Sequence, residues 1–191
     1  KDICMCTDSA NYLLKCGGSS HCKYYREETL IKNDDTESTI KKKPVIKVMF
    51  VCTGNICRSA MAEAMLKKML EDKKIEDIEV CSCGTNAENG DRSTYNAIYT
   101  MKKYNIDLSK HMATNMLNSN IKNMDLILCA TMSHKRTVLE WYPELNGKVF
   151  TMKEYAELDN QGRDMDISDP WGYDINIYEN CASEIERCLE K

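Results

Sequence analysis

Apolar residues in the stretch from residue 45 to the end fall into short blocks whose period changes along the chain. Residues 45–51 read Val-Ile-Lys-Val-Met-Phe-Val, nearly continuous in apolar side chains, as expected of a strand buried on both faces. From about Ser59 the spacing of Ala62, Met65, Leu66, Met69 and Leu70 makes one helical stripe. Residues 78–82 form a second predicted strand. A helix follows from about Ser93, carrying Ala97, Ile98 and Met101 as far as Tyr104 and Asn105. Residues 126–130 form strand three, and a helix from Ser133 stops before Pro143. Residues 148–152 form strand four. After a polar loop through Asp169 and Pro170, the last helix is predicted to bury Ile177, Cys181, Ile185, Cys188 and Leu189. Strands separated by helices imply an α/β fold: a four-stranded parallel sheet with right-handed crossovers and helices on both faces. Ligands in such sheets bind beyond the carboxyl ends of the strands, where the loop after strand one lies.

Residues 1–44 have no sustained period of either kind. They contain Cys4, Cys6, Cys16 and Cys22, a Gly17-Gly18-Ser19-Ser20 stretch and a run of three lysines before Pro44, and are predicted to be an appendage to a domain spanning 45–191. Four cysteines with His21 invite a zinc reading. Their spacing lacks the paired Cys-x2-Cys knuckles of zinc modules, so no metal is expected. The longest apolar run is far below the ~20 residues that cross a bilayer, and no charged segment leads into an apolar one near Lys1. A cytoplasmic protein without a membrane partner is therefore expected. The net charge of −4 with mixed signs offers no basic field for nucleic acid. Eleven cysteines among 191 residues, odd in number and irregular in spacing, suit a reducing compartment, with Cys81, Cys83, Cys129, Cys181 and Cys188 as small core residues.

The chemistry concentrates between strand one and the first helix, in Cys52-Thr53-Gly54-Asn55-Ile56-Cys57-Arg58-Ser59. A strand that stops and a helix that starts leave successive backbone N–H groups facing one electropositive concavity. Such a cradle takes a tetrahedral dianion. Arg58 adds a planar fork able to grip two phosphate oxygens, and Cys52 lies beneath the phosphorus. Free cysteine, with a pKa near ~8.5, is mostly protonated at neutral pH; the helix N-terminus, the loop amides and Arg58 all favour its anion. Gly54 is expected to permit a backbone conformation that a side chain would obstruct. Asn55 tolerates a left-handed conformation, and the Ser59 hydroxyl can donate to the sulfur.

This loop resembles that of the low-molecular-weight protein tyrosine phosphatase family, whose signature is Cys-x5-Arg-Ser. The resemblance continues through Met61-Ala62-Glu63-Ala64, Ser82 and Gly84, the hexapeptide starting at Ile106 and ending at His111, and Asp169-Pro170-Trp171-Gly172. The stretch from Lys148 to Tyr155 looks most like the bacterial branch that includes protein-arginine phosphatases. The resemblance implies a four-stranded fold, a phosphorylated protein substrate, no cofactor, and a cysteinyl-phosphate route. In it Asp169 is the general acid and then the base for water. His111 supports the loop through Asn55, with Ser82 beside it, and Trp171 with Ile56 walls the pocket; Tyr173 is a further candidate wall. Cys57 is implied as a redox partner of Cys52, restored by small reductants. His134, on a polar helix start, is expected to be solvated. Thr114 stands where the family usually has an arginine.

An arsenate reductase coupled to thioredoxin uses the same fold and a near-identical loop, but needs two further relay cysteines. Cys129 stands where the first would be, and residues 130–138 hold no second. A catalytically silent phosphate-binding module is opposed by the intact Cys52, Arg58 and Asp169. As to substrate, the arginine branch typically carries Thr at the position of Ile56, whereas tyrosine phosphatases carry an aliphatic residue. Phosphotyrosine is thus the expected substrate, with phosphoarginine the alternative.

Overall fold

The computed structural model describes residues 45–158 and 164–191. Expectations for residues 1–44, including the metal reading of Cys4, Cys6, Cys16, Cys22 and His21, lie outside the described residues. Four strands, β1 (Ile46–Cys52), β2 (Ile78–Gly84), β3 (Leu126–Cys129) and β4 (Val149–Thr151), form one sheet in the order β2-β1-β3-β4. Every pair is parallel. Among the described residues five α-helices accompany them: α1 (Arg58–Asp72), α2 (Tyr95–Lys102), α3 (Met132–Trp141), α4 (Met152–Tyr155) and α5 (Ile175–Leu189).

The sheet alternates two cores along each strand, as the period of two requires. In β1, Val48, Phe50 and Cys52 face the layer of α1, α2 and α5, with Leu128 of β3 and Val80 of β2 beside them. Met49 and Val51 face the opposite layer with Ile127, Cys129, Val149 and Val138 of α3. Both faces of β1 are covered, which explains its continuous apolar run. Because β2 and β3 flank β1 on opposite sides, the loops after β1 and β3 part at the switch point between these strands, where such sheets open a crevice.

Helix starts set the local geometry. Thr94 caps α2 and Thr131 caps α3 through their hydroxyls, and Asp174 caps α5. By contrast, α1 begins after Cys57 without any side-chain cap, so its first amides are left for a ligand.

Three sequence expectations need correction. Strand four ends one residue early, because Thr151 forms a capping box with Glu154 and Met152 opens α4. The helix expected from Ser93 starts at Tyr95, since Thr94 is its cap. In α5 the fully buried aromatic is Tyr178, with Cys181, Ala182, Ile185 and Cys188, whereas Ile177 and Leu189, both expected to be buried, are only partly covered. Of the expected core cysteines, Cys83, Cys129, Cys181 and Cys188 are buried and Cys81 is half-buried. Among the described residues no helix is long and apolar enough to cross a membrane, and no cluster of His, Cys, Asp or Glu is arranged to hold a metal ion.

Candidate active site

A cleft of about 370 Å³ opens at the carboxyl end of β1. Its floor is the loop from Cys52 to Arg58; Asp169 and Trp171 approach from the segment before α5, and Asn86, Glu88 and Asp91 from the segment after β2. Cys52, Ile56, Arg58, Asp169 and Trp171 thus meet in one place, although Asp169 is far from the loop in the chain.

The loop is held from behind by Asn55, which is fully buried and has φ of 54°, a left-handed conformation that asparagine tolerates better than most residues. Its amide donates to Ser59 Oγ at 2.8 Å and to Ser82 Oγ at 2.7 Å. Its Oδ1 accepts the Thr114 N–H at 2.8 Å. Its backbone carbonyl accepts from His111 Nε2 at 2.8 Å, which requires the proton of His111 to be on Nε2. Thr114, where an arginine was the family's usual residue, thus enters through its backbone. Ser82 in turn bonds the Glu63 carboxylate.

Ser59 Oγ accepts from the Asn55 amide, and its own hydrogen has two acceptors within reach, the Cys52 sulfur 3.0 Å away and the Cys83 carbonyl at 3.4 Å. The N–H groups of Gly54, Asn55, Ile56 and Cys57 have no protein acceptor among the described residues. An anion seated over Cys52 would meet that cradle, the start of α1 and Arg58 together.

Arg58 is only 5% exposed. Its Nη2 donates to Asp169 Oδ2 at 2.6 Å and its Nη1 to the Ile167 carbonyl at 3.4 Å, while its buried Nε has no partner. A buried guanidinium N–H without an acceptor is costly, and an oxyanion in the cleft would satisfy it. The other oxygen of Asp169 accepts the Trp171 N–H at 3.1 Å, which fixes the carboxylate at the cleft mouth. Trp171 and Tyr173 are both well exposed; Trp171 lines the cleft with Ile56, and Tyr173 does not line it.

Gly54 does not take a left-handed φ, and a Cβ on it would meet only the Ile56 side chain, Cγ1 at 3.4 Å and Cδ1 at 3.7 Å. The expectation that a side chain there would obstruct the backbone is therefore corrected. The glycine that the loop requires is Gly84: a Cβ on it would fall 2.3 Å from the Thr53 carbonyl and 2.9 Å from the Asn55 nitrogen. That close approach lets Thr85 and Asn86 donate to the carbonyls of Cys52 and Thr53 at 2.8 and 2.9 Å.

Two more features were missed in sequence. Cys57 Sγ lies 3.4 Å from the Tyr178 hydroxyl and 3.5 Å from Thr94 Oγ1, and burial raises its pKa above the ordinary thiol value. The off-by-one reading of α5 hid Tyr178. His134, expected to be solvated, is 7% exposed and bonded at both ring nitrogens. The signal was Thr131-x-x-His134, which folds the third helical residue back over its cap.

A family model described as low molecular weight phosphotyrosine protein phosphatase matches residues 47–191. The chain belongs to that family. It is a phosphatase, and its four-stranded parallel sheet is the fold of solved members. The low molecular weight protein tyrosine phosphatase of T. tengcongensis is 35% identical with a TM-score of 0.69, covering 76% of this chain and 95% of that one. YwlE arginine phosphatase, solved as a cysteine-to-serine mutant with a phosphorylated active-site serine, is 32% identical with a TM-score of 0.69, covering 75% and 91%. The protein-arginine-phosphatase of Geobacillus stearothermophilus is 33% identical over 145 residues, 76% of this chain and 92% of the relative.

Proposed function

We propose that this protein phosphatase hydrolyses phosphotyrosine on protein substrates through a phosphorylated Cys52. The observation that carries the reading is the Cys52 sulfur at the cleft floor, 3.0 Å from the Ser59 hydroxyl, in a cleft also lined by Arg58, whose buried Nε has no partner. A phosphate dianion would take the Arg58 fork and the loop amides, freeing Asp169 Oδ2 to take up a proton from solvent. The sulfur then attacks phosphorus, the S–P bond forms and the P–O bond breaks, and the leaving oxygen takes a proton from Asp169. In the second step Asp169 takes a proton from water, whose oxygen attacks phosphorus; the S–P bond breaks and the sulfur leaves as thiolate. Arg58 stabilises the equatorial oxygens in both steps. The phosphorylated serine in the YwlE mutant supports a covalent route at the equivalent place. The catalytic domain in this reading is residues 45–191, and the protein is cytoplasmic, where reductants keep Cys52 and Cys57 as thiols.

Ile56 and Trp171 supply an apolar wall suited to a phenyl ring. A second reading, phosphoarginine, draws on Glu88 and Asp91: both carboxylates line the cleft, and neither side chain enters an ion pair among the described residues, so both are available to a guanidinium. Comparing kcat/KM on one peptide carrying either phosphotyrosine or phosphoarginine tests the choice. Preference for phosphotyrosine supports the first reading, and preference for phosphoarginine replaces it with the second.

A further inference from the structure

The phosphate reading leaves one buried polar group next to the loop without a task. His134 sits in the first turn of α3, beyond the carboxyl end of β3, on the far side of the crevice from α1. Its Nε2 is 2.9 Å from Thr53 Oγ1 and its Nδ1 2.8 Å from Thr131 Oγ1. The Thr131 oxygen also accepts the backbone N–H of His134 at 3.2 Å.

Two tautomers fit this chain. In one of them Thr131 Oγ1, already an acceptor for the helix amide, gives its own hydrogen to Nδ1; the neutral imidazole then carries its proton on Nε2, and Nε2–H donates to Thr53 Oγ1. Neutrality follows from burial, which with the nearby Arg58 charge pushes the imidazole down to about 4. With its oxygen held by Nε2–H, the Thr53 hydroxyl hydrogen is left over. Thr53 is exposed and lines the cleft next to the Cys52 sulfur, so the substrate is what that hydrogen can reach.

The surroundings make this an anchor between loops. Ile167 N–H donates to the Ala130 carbonyl at 2.7 Å and Met132 N–H to Asp166 Oδ1 at 2.7 Å. The turn that carries Thr131 and His134 is therefore tied to the segment that carries Asp169.

We infer that the Thr53 hydroxyl is a substrate-binding donor to a charged oxygen of the phosphate, and that His134 is the positioning residue that aims it. This rests on the reading of the loop as a phosphate cradle and adds a side-chain contact to it. A donor to a charged oxygen that binds substrate and transition state alike acts on KM more than on kcat.

The test uses the full chain. Calorimetric titration with inorganic phosphate and steady-state kinetics are run on wild type, Thr53→Val, Thr53→Ser, His134→Asn, His134→Gln, and Thr53→Val combined with His134→Asn. Thr53→Val should weaken phosphate and raise KM about ten-fold, the scale of one hydrogen bond to a charged group, with kcat within about two-fold. Thr53→Ser should restore most of it. His134→Asn, whose amide reaches the Nδ1 position only, should weaken phosphate about three-fold in the wild-type background and leave it unchanged when Thr53 is Val. His134→Gln, which can place an N–H where Nε2 was, should recover the loss. Nitrogen-15 spectra of the wild-type imidazole should show Nε2 protonated, a readout that does not depend on any variant folding. The inference is overturned by wild-type phosphate binding that Thr53→Val leaves intact, by a His134→Asn loss that persists without the Thr53 hydroxyl, or by a proton on Nδ1. Wild-type protein that fails to bind phosphate would instead overturn the cradle reading itself.

Discussion

Replacing Asn55 with alanine removes three side-chain hydrogen bonds of 2.7–2.8 Å from a fully buried position. At about 1 kcal/mol net for each bond, the loss is ~3 kcal/mol. Alanine must also adopt a φ of 54°, which costs it roughly 1 kcal/mol more than asparagine, for a total of ~4 kcal/mol. Asn55→Gly loses the same bonds without the strain, so it should fall ~1 kcal/mol short of that. In a domain of this size the alanine variant should melt about 8–16 °C lower. Thermal and urea unfolding measure the stability, and turnover of an aryl phosphate follows the site. Asn55→Asp keeps the acceptor for Thr114 N–H but turns a second acceptor towards Ser59 and Ser82. It also buries a negative charge near the sulfur, so its kcat should fall below that of the alanine variant. Alanine and glycine variants of equal stability would refute the strain argument. An alanine variant within ~1 kcal/mol of wild type would refute the network's contribution to stability.

Asp169→Asn should slow hydrolysis of an alkyl phosphate by about 10²–10⁴ and an activated aryl phosphate far less; equal losses on both remove the residue from the acid role. Ile56→Thr should lower kcat/KM for phosphotyrosine peptide and raise it for phosphoarginine, a selectivity change of roughly ten- to two-hundred-fold; movement of both substrates together would show that Ile56 is not the selector. Mild peroxide should inactivate the enzyme by converting Cys52 to a sulfenic acid, which the Cys57 thiol attacks with loss of water, and dithiothreitol should reverse the resulting disulfide. Peptide mapping that finds Cys52 as sulfonic acid and Cys57 free would contradict this.

The layout of strands and long helices was legible because β1 and β3 are apolar on both faces and α1, α2 and α5 each carry a stripe, whereas the four-residue α4 is too short to show one. Boundaries moved where a polar residue had a second use. Thr151 reads as a strand residue but acts as a cap, and the Thr151-x-x-Glu154 spacing was the available sign. Tyr178 was passed over for Ile177 because a hydroxyl counts against burial in a sequence pattern, while here it is satisfied by Thr94 and Cys57. The loop residues from Cys52 to Ser59 were legible as a cradle from their types alone. The contact of Asp169 with Arg58 was not, since Asp-Pro is a common turn and only the resemblance singled it out. Gly84 acts through the close approach of segments distant in sequence, which no local spacing encodes; for His134 the Thr131-x-x-His134 spacing signals the fold-back over the cap, but not the contact with Thr53.

In the proposed mechanism the Cys52 sulfur itself receives the phosphoryl group. Rapid acid quench of Asp169→Asn with an aryl phosphate, followed by mass spectrometry of the peptides, tests it directly, because the slow second step should let the intermediate accumulate. One phosphoryl group on the peptide containing Cys52, absent from the same experiment with Cys52→Ala, is the expected result. A burst of aryl product with no phosphoryl group on Cys52, or with the group on another residue, would contradict the account.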